Sequence, residues 1–514
     1  MDPRGKKNKS KKMKLSLIFV CLFAMSGMAQ SVQVKTQNGI VEGEKLGSVQ
    51  RFLGIPFAQP PVGDLRWKAP QDLLSWQGVK STKAYGPSPM QAEPKPFMVW
   101  SEEYLIPKEP ISEDCLYLNV WNDSKENGPK PVLVYIYGGG FRSGGSACPI
   151  YDGAATATKG VVFVSINYRV GTFGFLAHPE LSKESSAGVS GNYGLLDMIS
   201  ALKWIQVNIA AFGGDPNQVT IAGQSAGAFA VNYLCASPLA KGLFKRAIAE
   251  SGSAMLSSPL RPAMNQAAAE ATGLAFATKL GAENLQALRA KSANEILAAS
   301  GGLSSPYLDG YVEPLNMLAA YAENKANDVD LLVGWNSEDV VSNRWLPAQE
   351  YQQILAKKYG TRSTELLSYY PATNDAEAAI SQRNLSRDET FGAGVFFWAK
   401  TQLKHGKSPV YLYNFNRQIP GDTPETQNGA FHTGEVPYAY DNLAKVRRPY
   451  QSEDRQLASY MSNYWVNFAK TGNPNGKGLP VWPRFQADNA LMQLDVETKA
   501  STLKNTKALE LIAQ

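Results

Sequence analysis

The chain has 514 residues, 44% hydrophobic and 19% charged, with no internal repeat and no low-complexity tract, which excludes a disordered, fibrous or repeat protein. Its formal net charge of +6 is concentrated in the first 30 residues, where Arg4, Lys6, Lys7, Lys9, Lys11, Lys12 and Lys14 face a single acid, Asp2; the rest holds 44 basic and 44 acidic side chains. A chain balanced in that way gives no reason to expect nucleic acid or an anionic membrane surface as a partner.

In chain order, the first feature is a targeting segment. The basic residues lead into an apolar run, Leu15 to Met25, and then into small residues ending at Gly27-Met28-Ala29, the form of a cleavable export signal. Removal of residues 1–29 near Ala29 is expected, leaving an exported chain, periplasmic or secreted, with one domain over 30–514. Met13 is an alternative start. The apolar run is too short to cross a bilayer, and no other stretch approaches the ~20 residues a spanning helix needs, so no stable membrane span is expected. Downstream the cysteines are Cys115, Cys148 and Cys235. An odd number leaves at least one free thiol, and no Cys/His cluster has metal-ligand spacing, so no metal or organic cofactor is expected.

Pro131 to Tyr137 is a nearly continuous apolar run, as expected of a parallel strand buried on both faces, and it ends in Gly138-Gly139-Gly140-Phe141. Consecutive glycines after a strand can aim backbone N–H groups at one point, where a tetrahedral intermediate would develop its negative oxygen. Further on, the β-branched run Val219 to Ala222 leads into Gly223-Gln224-Ser225-Ala226-Gly227 and then into helix-forming residues 228–236. G-x-S-x-G between a strand and a helix is the setting of a nucleophilic serine, because a sharp turn leaves room only for glycine beside it. It also places the hydroxyl at the positive end of the following helix.

The strand Asp328 to Trp335 is followed by Asn336-Ser337-Glu338-Asp339, where two adjacent carboxylates compete for the role of triad acid; spacing does not separate them. Of three histidines, His178 precedes Ser225, whereas the chain order of this architecture is nucleophile, acid, histidine. His405 lies in a charged turn, and His432 in a Gly-bounded loop of the kind that carries function. His432 is the expected base.

With these residues assembled, the chain resembles the type-B carboxylesterases, the family of cholinesterases and bacterial para-nitrobenzyl esterases. Matching segments run from about residue 34 to about 484. They include residues 52–58 (FLGIPFA), 113–120 (EDCLYLNV), 135–141 (YIYGGGF), 191–197 (GNYGLLD), 212–216 (FGGDP), 250–252 (ESG) and 464–474 (YWVNFAKTGNP). The resemblance implies an α/β-hydrolase fold, with a large, mostly parallel central sheet, helices on both faces and long inserted loops. It implies Ser225 as nucleophile, His432 as base, and the backbone N–H groups of Gly139, Gly140 and Ala226 as oxyanion donors. The family motif Gly-x-Asn-x-Asp-Glu-Gly, laid over 334–340, places the acid at Asp339 and leaves Glu338 as the alternative.

Two departures follow: the usual glutamate is an aspartate, one methylene shorter, and the usual glycine is Val340, which disfavours positive φ. Arg66 with Glu113, and Arg169 with Asp197, resemble family ion pairs that brace the scaffold, and Ser251 resembles a serine packed behind the triad. Cys115 matches a half-cystine of eukaryotic members, but no cysteine lies between residues 22 and 114, so the segment 87–110 is expected to be an unclamped wall of the cleft. Gln224 stands where cholinesterases carry glutamate. The implied activity is acyl-enzyme hydrolysis of small apolar or aromatic esters, with Tyr137, Phe141, Trp335, Trp345 and Tyr438 as candidate lining residues. Non-catalytic adhesion relatives lose the triad; Ser225 and His432 are both present here.

Overall fold

The computed structural model describes Met1 and residues 30–514, apart from 126–127, 259–263, 302–304, 342–344 and 424–427. The expected export signal therefore lies outside the described residues.

The aliphatic and β-branched runs of the sequence become adjacent strands of one sheet. From one edge the order is Gln30–Lys35, Ile40–Leu46, Val49–Pro56, Tyr117–Asp123, Val162–Ile166, Lys130–Ile136, Gly214–Gln224, Arg246–Glu250, Asp330–Asn336, Val410–Phe415, Ala490–Leu494 and Lys499–Thr502. The first four pair antiparallel, and the seven from Val162–Ile166 to Ala490–Leu494 pair parallel. Every residue of Val162–Ile166 and Arg246–Glu250 is buried, as strands covered on both faces must be.

The path of the chain sets where chemistry can sit. After Lys130–Ile136 it steps outward to Val162–Ile166, then crosses back to Gly214–Gln224 on the other side. The carboxyl ends of Lys130–Ile136 and Gly214–Gln224 thus flank a topological switch point, where open α/β sheets form their binding crevice. The glycine run and Ser225 begin at those two ends.

Tyr193–Phe212 is long and apolar enough to cross a membrane, contrary to the expectation that no such stretch exists beyond the N-terminus. It is instead largely buried, with Leu195, Met198, Leu202 and Ile205 fully enclosed in the core. Its apolar length serves packing.

Both expected ion pairs form. Arg66 grips Glu113 through Nε (2.6 Å) and Nη2 (2.5 Å), and also donates to the carbonyls of Arg289 and Lys291. Arg169 grips Asp197 at 2.8 and 2.7 Å, and its backbone N–H donates to the same carboxylate. Cys115, Cys148 and Cys235 are buried free thiols, each pushed up by burial.

Asp197 is 0% exposed, so removing its partner strands a buried charge. Arg169→Met is expected to cost about 3–5 kcal/mol of stability, read from the urea midpoint at unchanged slope.

Candidate active site

Ser225 sits at φ 55°, ψ −124°, a conformation a serine adopts only when its surroundings impose it. Its N–H donates to the Glu250 carbonyl (2.8 Å) and its carbonyl accepts from Phe229 (3.0 Å), tying the turn to the next strand and to the helix Ala226–Ala236. The flanking glycines are sterically required. A Cβ on Gly223 would lie 2.6 Å from the Gly227 backbone and 2.8 Å from the Ile136 carbonyl, and one on Gly227 would collide with that same carbonyl.

Across the crevice, a Cβ on Gly138 would lie 2.7 Å from the Gln224 carbonyl, so the glycine run passes directly against the serine turn. Gly139 and Gly140 take φ of 110° and 63°. The Gly139 carbonyl points into its own loop, accepting from Arg142 (3.0 Å) and Ser143 (3.1 Å). Ala226 is the first residue of its helix, so its N–H has no intrahelical acceptor. The segment 87–110, expected to be unclamped, is anchored to this loop without a disulfide: Gln91 accepts from the Gly144 N–H (2.8 Å) and donates to the Gly144 carbonyl (2.7 Å).

His432 reaches the serine from the loop after Val410–Phe415, three strands along the sheet from Gly214–Gln224. Its Nε2 lies 2.9 Å from Ser225 Oγ and its Nδ1 2.5 Å from Asp339 Oδ1. The two carboxylates left open by spacing part company here. Glu338 turns outward to Arg383 (2.7 Å), while its backbone bridges to Phe431 and its N–H donates to the Ala430 carbonyl. That bridge zips the acid loop to the histidine loop, which holds Asp339 within reach of the imidazole. Asp339 is fully buried, and its Oδ2 accepts from the Asn336 N–H (3.0 Å). Val340 is absorbed at negative φ, its N–H bonded to the Glu338 carbonyl.

Sequence reasoning assigned no role to three groups that surround this series. Asn336 donates through Nδ2 to the Phe431 carbonyl (2.8 Å) and to Glu435 (2.5 Å), so one side chain braces both loops. Glu435 stands three residues after His432, a spacing that could have marked it; burial, and then the charges of Asp339 and Glu250, hold its carboxyl well above the usual range. Glu250 is bonded to Trp465 Nε1 (2.6 Å) and Tyr440 OH (2.8 Å), and burial pushes it up to about 7. Ser251 is fully buried behind the triad, its N–H on the Gly334 carbonyl. Tyr137, Phe141, Trp335 and Tyr438 are enclosed in the core, and Trp345 is half-buried.

Serine, imidazole and carboxylate hydrogen-bonded in series, beside glycine backbone at the carboxyl end of a parallel sheet, define a class: serine hydrolases of the α/β-hydrolase fold. The chain belongs to the carboxylesterase family, whose model matches residues 30–511. It is 38% identical over 485 residues to a fumonisin B1 esterase of Sphingopyxis macrogoltabida (89% of this chain, 85% of that one) and 35% identical to the para-nitrobenzyl esterase of Bacillus subtilis (88% and 93%). Among solved structures, a PNB esterase superposes with a TM-score of 0.81 at 31% identity, over 93% of this chain and 99% of that one. The chain is an enzyme that hydrolyses carboxylic esters.

Glu250 yields a stability prediction. In the folded chain it keeps its proton to about pH 7, whereas unfolded it releases it near the ordinary 4.5, so the folded state binds more protons in between and stability falls as pH rises through that window. Glu250→Gln keeps an acceptor for Trp465 and Tyr440, and the decline of Tm between pH 5 and 7 is expected to be shallower than in wild type.

Proposed function

We propose that the chain hydrolyses small apolar or aromatic esters through an acyl-enzyme formed on Ser225. The observation that carries this reading is the position of His432, with one ring nitrogen on the serine hydroxyl and the other on a buried carboxylate. His432 takes the Ser225 proton as Oγ attacks the ester carbonyl, and Asp339 fixes the tautomer and stabilises the imidazolium. The N–H groups of Gly139, Gly140 and Ala226 are the donors for the oxyanion; losing one such donor costs about 3–4 kcal/mol of barrier in comparable sites. His432 then protonates the leaving alcohol, and water repeats the sequence on the acyl group, regenerating the hydroxyl.

The intact series argues against the adhesion-type alternative, which lacks it. The basic and apolar N-terminal segment supports export, and a periplasmic or secreted product whose first residue is Gln30 would establish it.

A panel of aliphatic, aromatic and sugar-acetate esters tests the substrate class, and fumonisin B1, named for one relative, belongs in it. Ser225→Ala is expected to abolish hydrolysis of para-nitrophenyl acetate and labelling by an organophosphate; a wild type inert to both overturns the reading. Asp339→Asn should lower kcat by about 10⁴. Glu338→Gln, which loses only a half-exposed pair with Arg383, should stay within a few-fold of wild type.

A further inference from the structure

Two side chains outside the triad pack against the imidazole. The Phe391 ring stacks on His432 with centroids 4.7 Å apart and planes 17° from parallel. Gln224 brings its Nε2 to 3.5 Å from Nδ1 and 3.4 Å from Nε2. A group nearly equidistant from both ring nitrogens lies over the ring, since an in-plane approach would collide with the carbon between them. Both in-plane directions are in any case taken by Asp339 and Ser225. Gln224 is held in turn by Thr433, whose hydroxyl donates to its Oε1 (3.3 Å).

Phe391 is unusual in how it is presented. It lies in a π-helical turn, Asp388–Gly392, inserted between the helices Asp375–Arg387 and Ala393–His405. Such single turns recur at functional sites. Asp388 anchors it, accepting from Arg387 Nε (2.7 Å) and Nη2 (2.9 Å), from Tyr370 OH (2.7 Å) and from Asn505 (3.3 Å). Arg387 also donates to the Ser337 carbonyl (2.9 Å), and Arg383 holds Glu338, so the elements that present Phe391 also grip the acid loop. Phe391 is 0% exposed, which keeps it from substrate.

We propose that Phe391 is a positioning residue for ester hydrolysis: its ring, with the Gln224 carboxamide, fixes the tilt of His432 so that Nε2 stays aimed at Ser225 and the leaving group. The in-plane bonds do little to resist rotation about the line joining the two nitrogens. Once Ser225 has given up its proton and bonded to the acyl carbon, only Asp339 still holds the imidazole in plane. A face contact is what keeps Nε2 directed while it returns the proton to the leaving alcohol. The role rests on the assignment of Ser225 and His432 above.

The test measures kcat and KM for para-nitrophenyl acetate per organophosphate-titrated serine, so that only folded sites are counted. Phe391→Leu and Phe391→Met fill the space without a flat face; both should lower kcat at least tenfold with KM within about twofold, and Phe391→Tyr, which keeps the ring, should recover most of it. Gln224→Glu places a carboxylate over the imidazole, favours its charged form, and should move the acid limb of the kcat/KM profile about one pH unit upward. Titratable Leu and Met variants with wild-type kcat, or a loss carried by KM alone, overturn the role of Phe391. A wild type that neither turns over nor titrates overturns instead the assignment of Ser225.

Discussion

The site depends on one backbone contact, the packing of Gly223 and Gly227 against the Ile136 carbonyl. It presses the end of one parallel strand and the start of the following helix onto the neighbouring strand, leaving Ser225 in a conformation that costs of order 1–3 kcal/mol. Bonds from Ser225 to Glu250 and Phe229 offset that cost, and the burial of the helix Ala226–Ala236 holds the turn shut. The same contact sets the neighbouring geometry: Gly138 comes against the serine turn, and Ala226 opens the helix that follows it, its N–H without an intrahelical acceptor. A side chain at either glycine would force the serine turn away from the neighbouring strand and its glycine run.

The acid arm solves a different problem. Asp339 has a short side chain, and backbone contacts hold its loop close to His432. The Glu338–Phe431 bridge and the Asn336 side chain draw the acid and histidine loops together, while Arg387 on the Ser337 carbonyl ties the acid loop to the neighbouring helix. Glu338, the competing candidate, therefore contributes through its main chain while its carboxylate pairs with Arg383 at the rim. Behind the triad, Glu250 and Glu435 are both pushed toward the neutral form by burial.

Elements whose signal is local were readable in advance. The strand ending at the glycine run, the turn around Ser225 and the helix after it fall within a few residues of their expected bounds, because glycine spacing and β-branched runs act over short distances. The Gln91 anchor, by contrast, joins residues 53 apart, and neither its position nor its type marks it in the sequence. The helix Tyr193–Phe212 shows the same limit from the other side, since its apolar length says only that it avoids water.

By itself the sequence marked Ser225, His432 and the glycine run as the candidate nucleophile, base and oxyanion loop, because each needs a residue type that little else can replace at that place in the chain order. It also determined the large parallel core, through the continuous apolar runs of strands buried on both faces. Only the tertiary structure decided between Asp339 and Glu338, which are adjacent in sequence and equal in charge but differ in the direction the loop gives them. It alone brought Phe391 onto His432, 41 residues ahead in the chain, because a face-to-face contact depends on how a helical turn is set against a loop. No spacing rule connects those two elements.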